Sequence, residues 1–212
     1  MKKIILLALL FSQVSRGHVP VLLLPLKGTP ISSYFIGNSE ISHAIYSELT
    51  KPGDFFIAQF LVKDEEKTRL ELLTPVCENI PQYEIFQPTV FLIKGDLPWK
   101  KQGESNQGFI KRLRAKAILI VSSRYSGGNR PKFFEEFGNQ YYWVGGVWDG
   151  LLWPGLYSMV IFDPKGNKGT FTLGLNEKES WNPDLYRYVG EVLPAISAGL
   201  CNPKGFTGKL DF

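Results

Sequence analysis

Apolar residues in this chain gather in short blocks bounded by Pro, Gly, Asn or Asp, and that punctuation predicts strands. The clearest case is Leu156–Phe162 and Thr170–Leu175, two β-rich runs around Asp163, Pro164, Gly166, Asn167 and Gly169. Tyr, Val, Ile, Phe and Thr suit a pleated, half-buried surface. The two runs therefore read as an antiparallel hairpin whose turn is longer than two residues. Ile41, Ile45 and Leu49 share one face of an alternating segment, with Ser42 and Glu48 on the other. Phe55–Val62 is apolar on both faces, as expected of a strand inside a two-layer β core. Lys63–Lys67 reads as a charged hairpin turn, after which Arg69–Leu73 returns. Thr89–Ile93 and Ala117–Ser123 add strands, residues 99–113 read as a polar, exposed insertion, and Gly127–Pro131 reads as a loop.

The tail changes period. Asn182, Pro183 and Asp184 have the form of a helix start, with Asn as the cap and Pro in the first turn. Leu185, Val189, Val192 and Ile196 then recur at helical spacing, with Pro194 predicting a kink and Gly199 a stop. A helix of this length must dock, most cheaply on its own domain. The prediction is a mainly β protein: an antiparallel, jelly-roll-like β-sandwich over residues 41–178, an extended lead-in at 18–40, and a short helical tail at 179–212.

The first 17 residues have the composition of a signal peptide. Lys2 and Lys3 precede the apolar run Ile4–Phe11, which is too short to span a bilayer. Ser15 and Gly17 supply the small residues that place cleavage before His18. Export to the periplasm or beyond follows, with no later segment apolar enough for a membrane span. Export also alters the charge. Removing Lys2, Lys3 and Arg16 takes the formal net charge from +4 to +1, which leaves no case for a nucleic-acid partner. The basic run Lys111–Lys116 reads as a charged flank leading into a strand. Two cysteines in an exported chain, Cys77 and Cys201, point to one disulfide that ties the tail to the body.

Three strand motifs carry a resemblance: Pro52–Val62, Phe86–Ile93, and Pro154–Phe162 with the Gly-Thr-Phe-Thr-Leu that ends at Leu173. In this order they resemble pre-peptidase C-terminal-like β-sandwich domains, and the whole resembles a group of secreted bacterial proteins with a similar aromatic stretch. The resemblance spans roughly residues 40–176. It implies a β-sandwich and a non-catalytic companion role in binding or assembly.

Catalytic motifs are lacking: there is no Gly-x-Ser-x-Gly and no His-Glu-x-x-His. The acidic pairs, such as Glu65 with Glu66 and Glu177 with Glu179, read as solvated charge. The best binding candidate is the aromatic, glycine-rich stretch Tyr141–Trp153, with Tyr142, Trp143, Trp148 and Trp153 as contact residues for an extracytoplasmic protein or glycan. Its glycines would let a loop display these rings; the competing reading is core and edge packing. No cofactor is expected on this reading. The alternative is a copper protein, carrier or oxidative enzyme. In it the α-amino group and imidazole of a processed His18, with His43 as the second imidazole, form a three-nitrogen set for Cu(II).

Overall fold

A computed structural model describes residues 18–23, 33–78, 80–124, 130–135, 139–179, 183–202 and 206. The expected signal peptide, the expected loop at 127–129 and the expected helix cap at Asn182 lie outside the described residues.

Eleven strands among the described residues form two sheets. In chain order they are β1 (Val19–Leu22), β2 (Ser33–Ile36), β3 (His43–Leu49), β4 (Phe55–Val62), β5 (Glu66–Pro75), β6 (Thr89–Lys94), β7 (Leu119–Ser122), β8 (Lys132–Glu135), β9 (Gln140–Leu152), β10 (Gly155–Phe162) and β11 (Gly169–Leu175). Sheet A has the order β1-β3-β11-β5-β9-β8, and sheet B the order β2-β4-β10-β6-β7. Three helices join them: α1 (Gln82–Ile85), α2 (Asn106–Arg114) and α3 (Pro183–Leu200).

The β-sandwich is thus present, but its sheets are mixed. β1 pairs with β3, and β2 with β4, in parallel. Both come from the segment expected to be an extended lead-in. Val19, Val21 and Ile36 place side chains in the core between the sheets, which is what holds this segment as strand.

The expected hairpins are also replaced. β10 lies between β4 and β6 in one sheet, and β11 lies between β3 and β5 in the other. The link between them arches from sheet to sheet. A hairpin would leave the two runs paired with each other; each instead has two other neighbours, as strands apolar on both faces require. The arch is fixed by Asp163, whose carboxylate accepts hydrogen bonds from the backbone N–H of Lys165 (2.8 Å) and Asn167 (3.1 Å), with Gly166 at φ 76°. The charged turn at 63–67 crosses between sheets in the same way, from β4 to β5.

Both-face burial has a further cause, because each sheet is covered on its outside by a helix. Between the sheets lie residues such as Ile45, Leu72, Phe60, Met159 and Phe171. Outside sheet A, Val192, Ile196 and Leu200 of α3 pack on Tyr46, Leu73 and Tyr142. α3 runs through Pro194 to Leu200, past the expected stop at Gly199. Gly199 serves packing instead, since a Cβ there would overlap the Phe206 ring. Cys77 and Cys201 form a disulfide (Cα–Cα 5.4 Å) that ties the end of this helix to the end of β5.

Outside sheet B, Phe109 and Leu113 of α2 pack on Phe55, Phe91, Val160 and Phe162. This helix replaces part of the exposed insertion expected at 99–113. Its start is capped by Ser105, whose hydroxyl accepts from the Gly108 N–H at 3.1 Å. Phe109 and Leu113, one turn apart with Ile110 packed beside them in a mostly polar segment, suffice because the sheet supplies the rest of the cluster. Among the described residues, no helix is long and apolar enough to cross a membrane.

Candidate binding surface

The aromatic stretch is a strand rather than a loop, and its glycines serve close packing rather than display. Leu73 pairs with Val144 and Glu71 with Val147, so Leu72 alone stands opposite Gly145 and Gly146. This is a β-bulge. A Cβ on Gly145 would collide with the Leu72 carbonyl, and one on Gly146 would lie 2.7 Å from the Ser122 carbonyl of β7. The extra residue reverses the alternation. Before the bulge Tyr142 faces α3; after it Trp148 and Leu152 face the core between the sheets.

The four predicted contact residues therefore part company. Tyr142 is buried under α3 and stacks with Phe133. Trp148 is half-buried against the inner core, its ring folded over Gly150. Trp153 is exposed at the far end of the strand. It stands ten positions from Trp143, roughly 30 Å at strand rise, so the two do not share a site. Trp143 does lie on an open surface.

That surface is built by the β8–β9 ribbon, where Lys132 pairs with Trp143 and Phe134 with Tyr141. Lys132 and Phe134 alternate with Phe133, which faces α3, and so share the opposite, sandwich-side face with Tyr141 and Trp143. Sheet B ends at β7, which packs against β5 and β9, so the ribbon overhangs it. Phe134 is 43% exposed and Tyr141 55%, with ring centroids 4.9 Å apart. The Lys132 ammonium sits 4.3 Å from the Trp143 ring centre, and the Arg130 guanidinium 5.9 Å. Burial lowers the Arg130 pKa to about 10, leaving it charged at neutral pH. Its Nε donates to the Val144 carbonyl at 3.4 Å, while Nη2 is buried without a hydrogen-bond partner. A flat aromatic patch with two cations on it can stack on a planar or sugar face and attract negative charge. Arg130, Lys132 and Phe134 were not singled out in the sequence. Their signal was two adjacent aromatics between charges, Lys132–Glu135, too short and without the alternation that would announce a strand.

The histidines lie at the opposite edge of sheet A. Val19 pairs with His43, and the Val19 N–H donates to the Ser42 carbonyl at 2.9 Å. His18 Nδ1 is hydrogen-bonded to the Ser42 hydroxyl. Val19 is buried in the inner core, so His43 shares its face, while His18 and Ser42 belong to the other. The two imidazoles are neighbours on opposite faces of the strand pair. His43 Nε2 contacts the Asn38 carbonyl at 2.7 Å, leaving Nδ1 buried without a partner. Burial lowers the pKa of both rings. Among the described residues, no group of three or more His, Cys, Asp or Glu side chains is placed to hold a metal.

The fold is that of a β-sandwich domain. No family model matches the chain, and no curated protein matches it. Among solved structures, it is similar to the pre-peptidase C-terminal domain of a Bacillus anthracis collagenase (14% identity, TM-score 0.39, 71% of this chain and 100% of that one). It is also similar to a periplasmic inhibitor of g-type lysozyme from Aeromonas hydrophila (12%, 0.34, 74% and 94%). A third is a surface-associated copper-binding protein from Methylomicrobium album BG8 (10%, 0.31, 69% and 98%). Likeness at this level extends to neither ligand nor activity.

Proposed function

We propose that this protein is an exported, non-catalytic binding module that takes an extracytoplasmic protein or glycan on the overhanging face of the β8–β9 ribbon. The observation that carries the reading is that Phe134, Tyr141 and Trp143 share a sheet face with no strand opposite them among the described residues. The Cys77–Cys201 bridge supports export, since such bonds persist in oxidising compartments. The test is a glycan array together with a pull-down from extracytoplasmic extract, using the wild type, Tyr141→Ala/Trp143→Ala and Trp153→Ala. Binding lost in the double variant and kept in Trp153→Ala supports the ribbon; binding kept in both overturns it.

A second reading, a copper-binding protein, is favoured by one observation: the bare, buried Nδ1 of His43. Processing before His18 would add an α-amino group and a second imidazole on the adjacent strand, a ring that must turn from the opposite face of the strand pair to share an ion with His43. One equivalent of Cu(II), lost in both His18→Ala and His43→Ala, supports it; binding unaffected by either change removes it.

A further inference from the structure

A groove of about 600 Å³ lies outside sheet B, between α2 and the arch at 163–166. Its floor is apolar: Phe91 and Phe162 continue into Ile120 of the edge strand β7. Ile120 is 46% exposed and Ile118 57%, beside a cluster that is otherwise closed. One wall is a stripe of α2 at positions i, i+3, i+4 and i+7: Gln107, Ile110, Lys111 and Arg114. Lys111 and Arg114 of the basic run thus face a cavity rather than merely flanking a strand.

Charge decides what could lie there. Arg124 and Lys165 stand just beyond the row Ser122, Thr89 and Phe162 at one end of the floor. With Lys111 and Arg114 they make four cations, and none forms an ion pair with another described residue. The single lining carboxylate, Asp163, is 4% exposed and already committed. Its oxygens accept from the backbone N–H of Gln87 (2.9 Å), Lys165 and Asn167, and from the Asn167 side chain (3.3 Å). An apolar floor under four cations unpaired among the described residues suits a ligand with an apolar body and an anionic head, and the volume is within the range of about 300–1,000 Å³ usual for small-molecule sites.

We infer that this groove is a binding site for a small amphiphilic anion, a single acyl chain ending in a carboxylate. The chain lies over Phe91, Phe162 and Ile120, and the carboxylate lies among Lys111, Arg114, Arg124 and Lys165. The site is independent of the β8–β9 ribbon.

The test is calorimetric titration of the full chain with decanoate below its micelle concentration, beside decanol and decyltrimethylammonium. Decanoate is expected to bind one to one, at least about tenfold tighter than either analogue. Arg124→Glu/Lys165→Glu should weaken it by about tenfold or more with melting temperature unchanged, since both side chains are at the groove rim. Ile120→Asp should abolish it. Equal binding of the cationic analogue, no saturable binding of decanoate, or an Arg124→Glu/Lys165→Glu variant that binds as wild type would each overturn the proposal. Should Ile120→Asp fail to fold, the charge variant and the analogues decide alone.

Discussion

The two outer faces of the sandwich are covered by different means. Sheet A lies under α3, eighteen residues long and tied down covalently through Cys201. Sheet B lies under α2, nine residues long and held by Phe109 and Leu113 alone among its fully buried side chains. The longer cover makes its face a second core. The shorter one ends early and leaves Ile118 and Ile120 in the open. Surface available for recognition appears where a cover runs out: beside α2 on sheet B, and on the ribbon of sheet A that extends past β7. The first follows from the short helix, the second from sheet B ending at β7 while sheet A continues to β8.

The sharpest way to break this contrast is at α2. Phe109→Ala removes the ring that pins the helix and should cost about 3–5 kcal/mol, read by urea denaturation. Cys77→Ser/Cys201→Ser, or reduction, should cost about 2–5 kcal/mol. Hydrogen exchange should then quicken in α3 and stay unchanged in α2; equal quickening in both would mean that the covers are coupled. Ser105→Ala removes the cap of α2 and should cost about 1 kcal/mol, with little effect on α3.

Acid should separate the faces by pH. Burial holds the His43 ring below its ordinary 6.5, against the raising effect of the Asn38 carbonyl, and burial likewise lowers His18 against Glu177 and Glu179. A lowered folded pKa contributes stability above the unfolded value, lost as pH falls. Melting temperature should therefore drop between pH 7.5 and 5, and drop less in His43→Gln. Near α2 the hydrogen bond from Arg112, with help from the Lys101 N–H, holds Glu104 down to about 2. Its contribution should persist through pH 5 and fade between about pH 4.5 and 2. A His43→Gln chain whose melting temperature falls as steeply as wild type would contradict the first assignment.

Strand identity was legible in this chain where apolar runs met turn residues, and the disulfide was legible from two cysteines in a chain that begins like an exported one. Pairing was not. Leu156–Phe162 and Thr170–Leu175 carry the composition of a hairpin, yet nothing local in them states that their partners are β4, β6, β3 and β5. Phe55–Val62 signalled burial on both faces, but not that a nine-residue helix from a polar segment would supply one of the covers. The aromatic stretch showed its residues and hid its bulge, so the reversal that turns Tyr142 under α3 and Trp148 toward the inner core was out of reach. Trp143 became interpretable only beside Lys132, which no spacing rule connects to it.

The arches carry a consequence in time. Of the described strands, β8 and β9 alone pair through a short link; β10 must find β4, far back in the chain, and β11 must find β3. Closing such long loops before any reward arrives places folding in the range of about milliseconds to seconds. During that interval segments such as Thr89–Ile93, uncharged and rich in β-branched and aromatic residues, stand with both edges unpaired. The hazard of self-association for this protein therefore begins in the nascent chain, before its sheets close.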